Sequence, residues 1–320
     1  MILQPYKFKP LLKSVLWGGE RIKAFKGIDT QLLQVGESWE ISGIHDMESV
    51  VDGGTDDGLT LTQLTDKYGP ALVGQRVYER HGNRFPLLVK LIDAHRDLSV
   101  QVHPDDQMAQ RLYGCNGKTE MWYVIDREPG AQIMSGFSHD ITAEEYDRLV
   151  AEGTIMSVVA HHTSHRGQVF FLPAGRIHAI GAGNFVAEIQ QSSDVTYRVF
   201  DYNRVDSNGQ QRELHTALAR QALDFAQLPA TAANLCPENA ESSNLVTCDY
   251  FVVDRHKVKG TLTINVPDSF MIIMCIEGSV ELEGENMPKV RLSRGQTVLC
   301  PACLPQCTLE GCATLLTAHC

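Results

Sequence analysis

Short apolar segments recur along the chain, and most of them end at Gly, Pro, Asn or Asp. Their lengths and their content of β-branched and aromatic residues are typical of strands. Because no helix follows each of them, they favour antiparallel sheets that close as a barrel or sandwich over a doubly wound parallel sheet. The segments are FPLLVKLI, LSVQVH, EMWYVI, GQVFFLPAG, FVAEIQ, VTYRVF, YFVVDRHKV, LTINV, SFMIIMCI, SVELEG and QTVLCP.

Apolar residues recur at helical spacing in four other segments, which we expect to decorate a mainly β protein. Thr142 and Glu145 have the spacing of a capping box at the start of one of these helices. The four segments are LTQLTDKYGPALVG, PDDQMAQRLYG, TAEEYDRLVAEG and ELHTALARQALDF.

One short pattern occurs twice, as GQVFFLPAG from Gly167 and as GQTVLCPAC from Gly295. His178 follows the first copy, whereas the matching position after the second copy is Gln306. We infer a duplicated barrel in which only the N-terminal copy carries out chemistry. The polar segment 228–245 contains two prolines and is interpreted as a linker. This division predicts a catalytic domain with helical insertions at 1–227 and a degenerate domain without metal ligands at 246–320.

Four residues of the N-terminal part form a candidate metal site. Gln101 and His103 are two positions apart on the strand LSVQVHP, so both side chains point to one face. Glu120 opens the next strand, and His178 follows a tight turn in LPAGRIHAIG that can direct its imidazole inward. Two histidines and a carboxylate form a ligand set for first-row metals.

Two other groups of potential ligands are less suited to a site. Three histidines lie in a polar stretch that we expect at the surface, and four cysteines lack the second CxxC pair of a zinc ribbon. The nine cysteines are scattered, which is typical of reduced thiols rather than disulfides. The two groups are His161, His162 and His165, and Cys300, Cys303, Cys307 and Cys312.

The charge and hydropathy of the chain exclude several classes of partner. Its net charge of -11 and its lack of a basic run argue against nucleic acid, although a few cations in a cleft can still bind an anionic small molecule. The longest apolar run, FMIIMCI, is far shorter than the roughly 20 residues of a membrane span. The N-terminal residues lack the pattern of a secretory signal, so we expect a soluble, cytoplasmic protein.

Several motifs together resemble those of type I mannose-6-phosphate isomerases, especially the short bacterial form, which belong to the cupin superfamily. The resemblance covers nearly all of residues 1–225 and is weaker beyond 245. It implies two cupin-type (jelly-roll) barrels, with the metal site in the N-terminal one. Unlike most cupins, this chain has Gln101 in place of the first histidine of an HxH pair. The motifs are WGG at 17–19, GESWEIS, FPLLVKLID, LSVQVHP, GKTEMWYV, LPAGRIHAIG and TYRVFDY.

The resemblance implies one zinc ion per chain and the interconversion of mannose 6-phosphate and fructose 6-phosphate through an enediolate. The zinc ligands it implies are Gln101, His103, Glu120 and His178, the set that the strand pattern also proposes. It further implies a catalytic role for Arg198 and an active-site surface that includes Lys90 and Lys118. Because a guanidinium is always charged, Arg198 suits the stabilisation of an oxyanion or a phosphate better than proton abstraction.

The base that moves the proton stays open between Lys118, Glu188, His95 and a zinc-bound water. Glu188 lies on an apolar strand, and two interpretations stay open: burial raises its pKa toward neutrality, or Glu188 is the structural partner of a neighbouring cation. The candidates for phosphate binding are Lys90, Lys118, Arg198 and Arg204, and Trp17 and Trp39 are candidate walls of the sugar site.

Two other functions are compatible with these residues. Two histidines and one carboxylate also form the facial triad of non-haem iron oxygenases, although Gln101 and the cations count against that function. A sugar-binding cupin that has lost turnover is the other alternative. Neither oligomeric state nor strictness of sugar specificity follows from the sequence.

Overall fold

The computed structural model describes residues 3–205, 209–227, 232–235, 240–266, 268–284, 289–304 and 306–320. The chain is mainly β, as the strand pattern predicts. The strands are β1 (Tyr6–Lys9), β2 (Leu11–Gly19), β3 (Val35–Ile41), β4 (Val50–Val51), β5 (Leu87–Asp93), β6 (Val100–Val102), β7 (Glu120–Arg127), β8 (Gln132–Phe137), β9 (Val159–Thr163), β10 (Gln168–Leu172), β11 (His178–Ile180), β12 (Asn184–Gln191), β13 (Tyr197–Phe200), β14 (Ala232–Leu235), β15 (Ser242–Thr247), β16 (Val252–Asn265), β17 (Met271–Glu283), β18 (Val290–Ser293), β19 (Thr297–Cys300) and β20 (Gln306–His319).

Helices occur in all four segments where the periodicity predicts them. Thr142 caps one of these helices by accepting a hydrogen bond from the Glu145 backbone N–H at 3.1 Å. Two further helices of the described residues, Arg21–Lys26 and Gln75–His81, lie outside the predicted segments, because they are short and follow no clear apolar period. The helices are α1 (Arg21–Lys26), α2 (Leu61–Tyr68), α3 (Pro70–Val73), α4 (Gln75–His81), α5 (Asp106–Tyr113), α6 (Ala143–Ala151) and α7 (Thr216–Ala222), with a 3₁₀ turn at Ile155–Val158.

The strands of the described residues form three antiparallel sheets. The first has the order β15-β16-β20-β17-β19-β1-β4, with β18 paired to β17. The second has the order β14-β10-β7-β12-β5-β3-β2, and the third has the order β13-β6-β11-β8-β9. The segments SFMIIMCI and SVELEG, which look separate in the sequence, belong to the single strand β17, whose ladder is interrupted by a register shift after Cys275.

The second sheet lies between the other two, and each of its faces contributes to an apolar core. Trp122 and Val186 on one face pack in one core with Ile180 of the third sheet. Met121 on the other face shares a core with Met274 of the first sheet. Alternation along β6 sends Val100 and Val102 into the helix-covered core outside the third sheet, and it therefore turns Gln101 toward the second sheet.

The two copies of the repeated pattern adopt the same local structure. Gly167 and Gly295 have φ values of 80° and 79°, a left-handed conformation that glycine adopts without steric cost. Each glycine leads into a strand, β10 or β19, that pairs antiparallel with the first residues of β7 or β17. The same supersecondary unit therefore occurs twice.

Strand register identifies the counterparts of the candidate ligands in the C-terminal copy. Leu172 pairs with Glu120, and the matching pair in the second copy is Cys300 with Met271. His178 pairs with Gln101, and the matching pair is Gln306 with Asn265. The counterparts of Glu120, Gln101 and His178 are thus Met271, Asn265 and Gln306, while the counterpart of His103 lies outside the described residues.

The predicted domain boundaries stay a prediction, although two observations bear on them. The first strand of the chain, β1, pairs with β19 near the C-terminus, so residues on either side of the predicted linker share one sheet. Residues 228–231 and 236–239 of the predicted linker lie outside the described residues. Between them β14 pairs with β10, and β15 begins at Ser242.

The eight cysteines in the described part of the chain are free. None of the helices in that part is long and apolar enough to cross a bilayer.

Candidate active site

Three ionisable side chains converge between the second and third sheets. The ligand atoms of His103, Glu120 and His178 all lie within 4.8 Å of one another, and all three side chains are buried. The Nε2 atoms of the two histidines are 3.2 Å apart. The carboxylate of Glu120 faces both imidazoles, with Oε1 3.3 Å from His178 Nε2 and Oε2 3.5 Å from His103 Nε2.

Backbone carbonyl groups fix the orientation of both imidazole rings. His103 Nδ1 lies 2.9 Å from the Val195 carbonyl oxygen, and His178 Nδ1 lies 2.8 Å from that of Arg176. A carbonyl oxygen only accepts, so each Nδ1 carries a proton and each neutral ring has its lone pair on Nε2. Burial lowers the pKa of His178 to about 3 and that of His103 well below its ordinary value, which keeps both rings neutral. The two lone pairs therefore point at a common centre.

The residues present fit a divalent metal ion. Neither carboxylate oxygen of Glu120 accepts a hydrogen bond in the described part of the chain, although both are buried. Lys118 Nζ lies 3.2 Å from Oε2, at ion-pair distance. Burial raises the pKa of Glu120. A buried carboxylate that faces two imidazole lone pairs matches the nitrogen and oxygen ligands of zinc.

Gln101 and Arg198 extend this cluster along one row of the third sheet. Gln101 is paired with His178 on β11 and with Arg198 on β13, so the three side chains project from the same face. Gln101 Nε2 lies 3.4 Å from His178 Nε2. The Nε of Arg198 is buried and has no hydrogen-bond partner among the described residues, and its Nη1 donates to the Glu213 carbonyl oxygen at 2.8 Å.

A second row, on the facing sheet, carries a buried ion pair. Register places Lys90, Glu188 and Trp122 side by side on β5, β12 and β7. Lys90 Nζ lies 2.9 Å from Glu188 Oε1, and Trp122 Nε1 donates to Glu188 Oε2 at 2.7 Å. Both charged side chains are almost fully buried.

Of the two interpretations of Glu188, the structure supports the structural partner of a cation and not a pKa raised by burial. Burial alone favours the neutral acid, but the charges of Lys90 and Lys118 outweigh it and lower the pKa. Lys90 responds in the reciprocal way, since Glu188 raises its pKa against the effect of burial. The cause is a cation on a neighbouring strand, which the sequence of β12 alone does not contain.

A cavity of about 320 Å³ opens between the two rows. Six residues selected from the sequence line it: Trp17, Lys90, Gln101, Lys118, Glu188 and Arg198. Among the residues that the sequence analysis missed are Glu37, Trp122, Asp194 and Arg212. Glu37 stands inside the motif GESWEIS, so strand alternation with Trp39 could have drawn attention to it. No such signal marks Asp194 or Arg212, which lie outside the strands.

Three other candidates lie outside the cavity. His95 is exposed and follows the end of β5. Arg204 is held by Asp201 and by the Asp97 carbonyl oxygen. Trp39 is fully buried, and its Nε1 donates to Glu37 Oε2 at 2.6 Å, so it packs behind the cavity wall.

The two other ligand groups do not form a site in the described part of the chain. His161 and His165 are exposed as expected, whereas His162 is half-buried, and its Nε2 lies 3.2 Å from the Ser135 carbonyl oxygen. Cys300 and Cys307 are buried in the C-terminal core, while Cys303 and Cys312 are exposed.

Comparisons with known proteins show which family the chain belongs to. Residues 6–129 match the family described as phosphomannose isomerase type I, catalytic domain, and residues 241–320 match mannose-6-phosphate isomerase, cupin domain. Mannose-6-phosphate isomerase ManA of Bacillus subtilis is 34% identical over the full length of both chains. The chain belongs to the type I mannose-6-phosphate isomerase family.

Other members of the family extend this similarity. The mannose-6-phosphate isomerase of Streptococcus mutans is 30% identical, covering 99% of this chain and 98% of its own. The crystal structure of the Bacillus subtilis enzyme has a TM-score of 0.88 and 33% identity over 99% of this chain and 100% of that one. The apo form from Salmonella typhimurium, at 16% identity and a TM-score of 0.78, shares the fold. The family resemblance stated from the motifs is confirmed.

Proposed function

We propose that the chain is a zinc-dependent aldose–ketose isomerase that interconverts mannose 6-phosphate and fructose 6-phosphate. The observation that carries this proposal is the convergence of two imidazole lone pairs and the Glu120 carboxylate beside a cavity lined by Lys90, Lys118, Arg198 and Arg212. The names of the full-length relatives support the reaction. A sugar phosphate is the small-molecule partner that such a cationic cavity suits.

His103, Glu120 and His178 would hold the metal, with Gln101 as the fourth ligand. Zinc, when bound, acts as a Lewis acid that stabilises negative charge on a sugar oxygen. The counterparts Asn265, Met271 and Gln306 support a site in the N-terminal copy of the barrel only. We propose accordingly a two-barrel architecture with one zinc ion per chain. We also propose that the enzyme is cytoplasmic.

The charged side chains that line the cavity have different roles in the proposed reaction. Moving a proton between C1 and C2 creates an enediolate, and the charged guanidinium of Arg198, with its unpaired Nε, is suited to stabilise the oxyanion. Glu188 is a weak base because its pKa is lowered, and both of its oxygens already face partners. We therefore assign to Glu188 the positioning of Lys90, and to Lys118 the transfer of the proton, which its neutral amine accepts from one carbon and its ammonium form returns to the other.

Replacing Lys118 should separate proton transfer from metal binding. We expect Lys118→Met to lower kcat roughly 10²- to 10⁴-fold, the usual contribution of a general acid or base, while the protein still binds zinc. The measurement is the rate of fructose 6-phosphate formation together with the metal content, with Lys289→Met at an exposed site as the control. A kcat close to that of the unsubstituted protein would rule out this role.

The same assay distinguishes an isomerase from the alternative, an iron oxygenase, if oxygen uptake is measured in parallel. Zinc-loaded protein that forms fructose 6-phosphate without consuming oxygen supports the isomerase. Oxygen consumption by iron-loaded protein, without isomerisation, would support the oxygenase instead.

A further inference from the structure

A second guanidinium enters the cavity from the outer side of β13. The segment before α7 runs along this strand, where the His215 backbone N–H donates to the Arg198 carbonyl oxygen at 2.8 Å. Arg198 separates this segment from Gln101 and His178, which lie on the next two strands. Arg212 belongs to the segment and lines the cavity. The backbone of Arg212 is therefore farther than that of Arg198 from the cluster of His103, Glu120 and His178.

Asp201 fixes the direction of the Arg212 side chain. Its carboxylate accepts a hydrogen bond from Arg212 Nε at 2.8 Å and another from Nη2 at 2.5 Å. Asp201 is buried, and it also holds Arg204. This two-point contact leaves Nη1 of Arg212 without a hydrogen-bond partner in the part of the chain that the structure describes.

The turn that carries Asp201 is held in an unfavourable conformation. Tyr202 and Asn203 both have positive φ values, of 56° and 53°, which residues other than glycine rarely adopt. Backbone strain of this kind persists where the surrounding structure enforces it, and it is concentrated at functional sites. In this turn the two strained residues lie between Asp201 and Arg204, which contact each other.

The arginine end of the cavity has an excess of positive charge. Asp201 is shared by Arg204 and Arg212, and no carboxylate in the described residues lies within ion-pair distance of Arg198. At the other end each lysine already has an anion, since Lys90 pairs with Glu188 and Lys118 lies beside Glu120. A phosphate monoester, which carries about 1.5 to 2 negative charges at pH 7, is therefore best accommodated at the arginine end.

We propose that Arg212 binds the phosphate group of the substrate and that Asp201 is the residue that positions it. The identity of the ligand as a sugar phosphate rests on the proposed function, whereas the affinity for phosphate does not. Arg198 lies one strand nearer to the cluster of His103, Glu120 and His178, so in this placement it contacts the reacting end of the sugar. Lys90 is correspondingly not the main phosphate contact.

Titration of the protein with inorganic phosphate tests the role of Arg212 directly. We expect Arg212→Gln to weaken phosphate binding roughly 10- to 100-fold, the usual effect of losing a hydrogen bond to a charged group. The exposed residue Arg166 offers a matched control, and Arg166→Gln should bind phosphate as the unsubstituted protein does. Equal affinities in Arg212→Gln and the unsubstituted protein would overturn the proposal.

Asp201→Asn separates positioning from overall charge. Removing a negative charge should strengthen phosphate binding if only the electrostatic field matters, but should weaken it if Asp201 positions Arg212. We expect weaker binding, and in the isomerase assay a higher KM for mannose 6-phosphate with a smaller change in kcat. If this buried substitution prevents folding, Arg212→Lys makes the same test, because lysine keeps the charge but cannot contact Asp201 at two points.

The result remains informative if the proposed reaction is wrong. Phosphate binding that depends on Arg212 in a protein without isomerase activity would support this inference and contradict the proposed function. Isomerase activity with an unchanged KM in Arg212→Gln would contradict this inference alone.

Discussion

Glu120→Gln should abolish most metal binding and nearly all activity. The substitution preserves the size of the side chain but removes the only negative charge among the three converging residues. We expect at least about a 100-fold loss of zinc affinity, since even residues that only orient metal ligands contribute 10- to 100-fold. Loss of a Lewis acid that contributes several kcal/mol corresponds to roughly a 10³-fold or greater loss of kcat/KM. Metal analysis and the rate of fructose 6-phosphate formation measure the two effects.

Glu277→Gln is the matched control for this prediction. Glu277 is exposed and pairs with Arg166 at 3.2 Å, so its substitution should leave metal content and activity unchanged. The Glu120→Gln substitution also removes the carboxylate 3.2 Å from the buried Lys118 ammonium, so the stability of metal-free Glu120→Gln should fall, and a folded sample is confirmed before its metal content is measured. A Glu120→Gln protein that retained a full equivalent of zinc and ordinary turnover would contradict the assignment of Glu120 as a ligand.

Lys90→Met should produce the largest loss of stability among single substitutions in the cavity. It leaves the buried Glu188 carboxylate without the cation 2.9 Å away. Removing one partner of a buried ion pair costs about 3–5 kcal/mol in free energy of unfolding, because the other charge stays buried. The double variant Lys90→Met/Glu188→Gln should lose less than the sum of the two single variants, since it leaves neither charge unpaired. Urea unfolding at pH 7 measures all three.

The pH dependence of this loss has a definite sign. Lys90 lowers the pKa of Glu188 in the folded state, so the pair stabilises the protein above the pKa of the unfolded glutamate, about 4.3, and the effect is lost as pH falls through the folded pKa. The difference between the unsubstituted protein and Lys90→Met should therefore be largest near neutral pH and should shrink below about pH 4. Lys289→Met, at an exposed pair, should change stability little at any pH. A constant difference across this range would contradict the buried ion pair.

The strands and the cluster of His103, Glu120 and His178 were accessible from sequence because each depends on local patterns. Alternation along LSVQVHP places Gln101 on the inner face, and the turn at Gly167 that leads into β10 recurs with the same glycine conformation at Gly295. The sequence does not show which strands become neighbours. That β1 joins the sheet of the C-terminal residues is set by packing between distant segments.

The charge states in the cavity were the part least accessible from sequence. Glu188 looks like a buried acid along its own strand, and its pKa is decided by Lys90, which register places opposite it on β5. Arg212 has no motif, since it reaches the cavity only because its segment runs along β13. Both cases depend on contacts between residues that are far apart in the chain.

The most direct test of the proposed function is the conversion of mannose 6-phosphate to fructose 6-phosphate by the purified protein. The rate is measured as prepared, after chelation, and after zinc is added back. We predict activity that chelation removes and zinc restores, with one zinc ion per active chain. Absence of conversion by fully zinc-loaded protein, or activity unaffected when the metal is shown to be gone, would contradict the account.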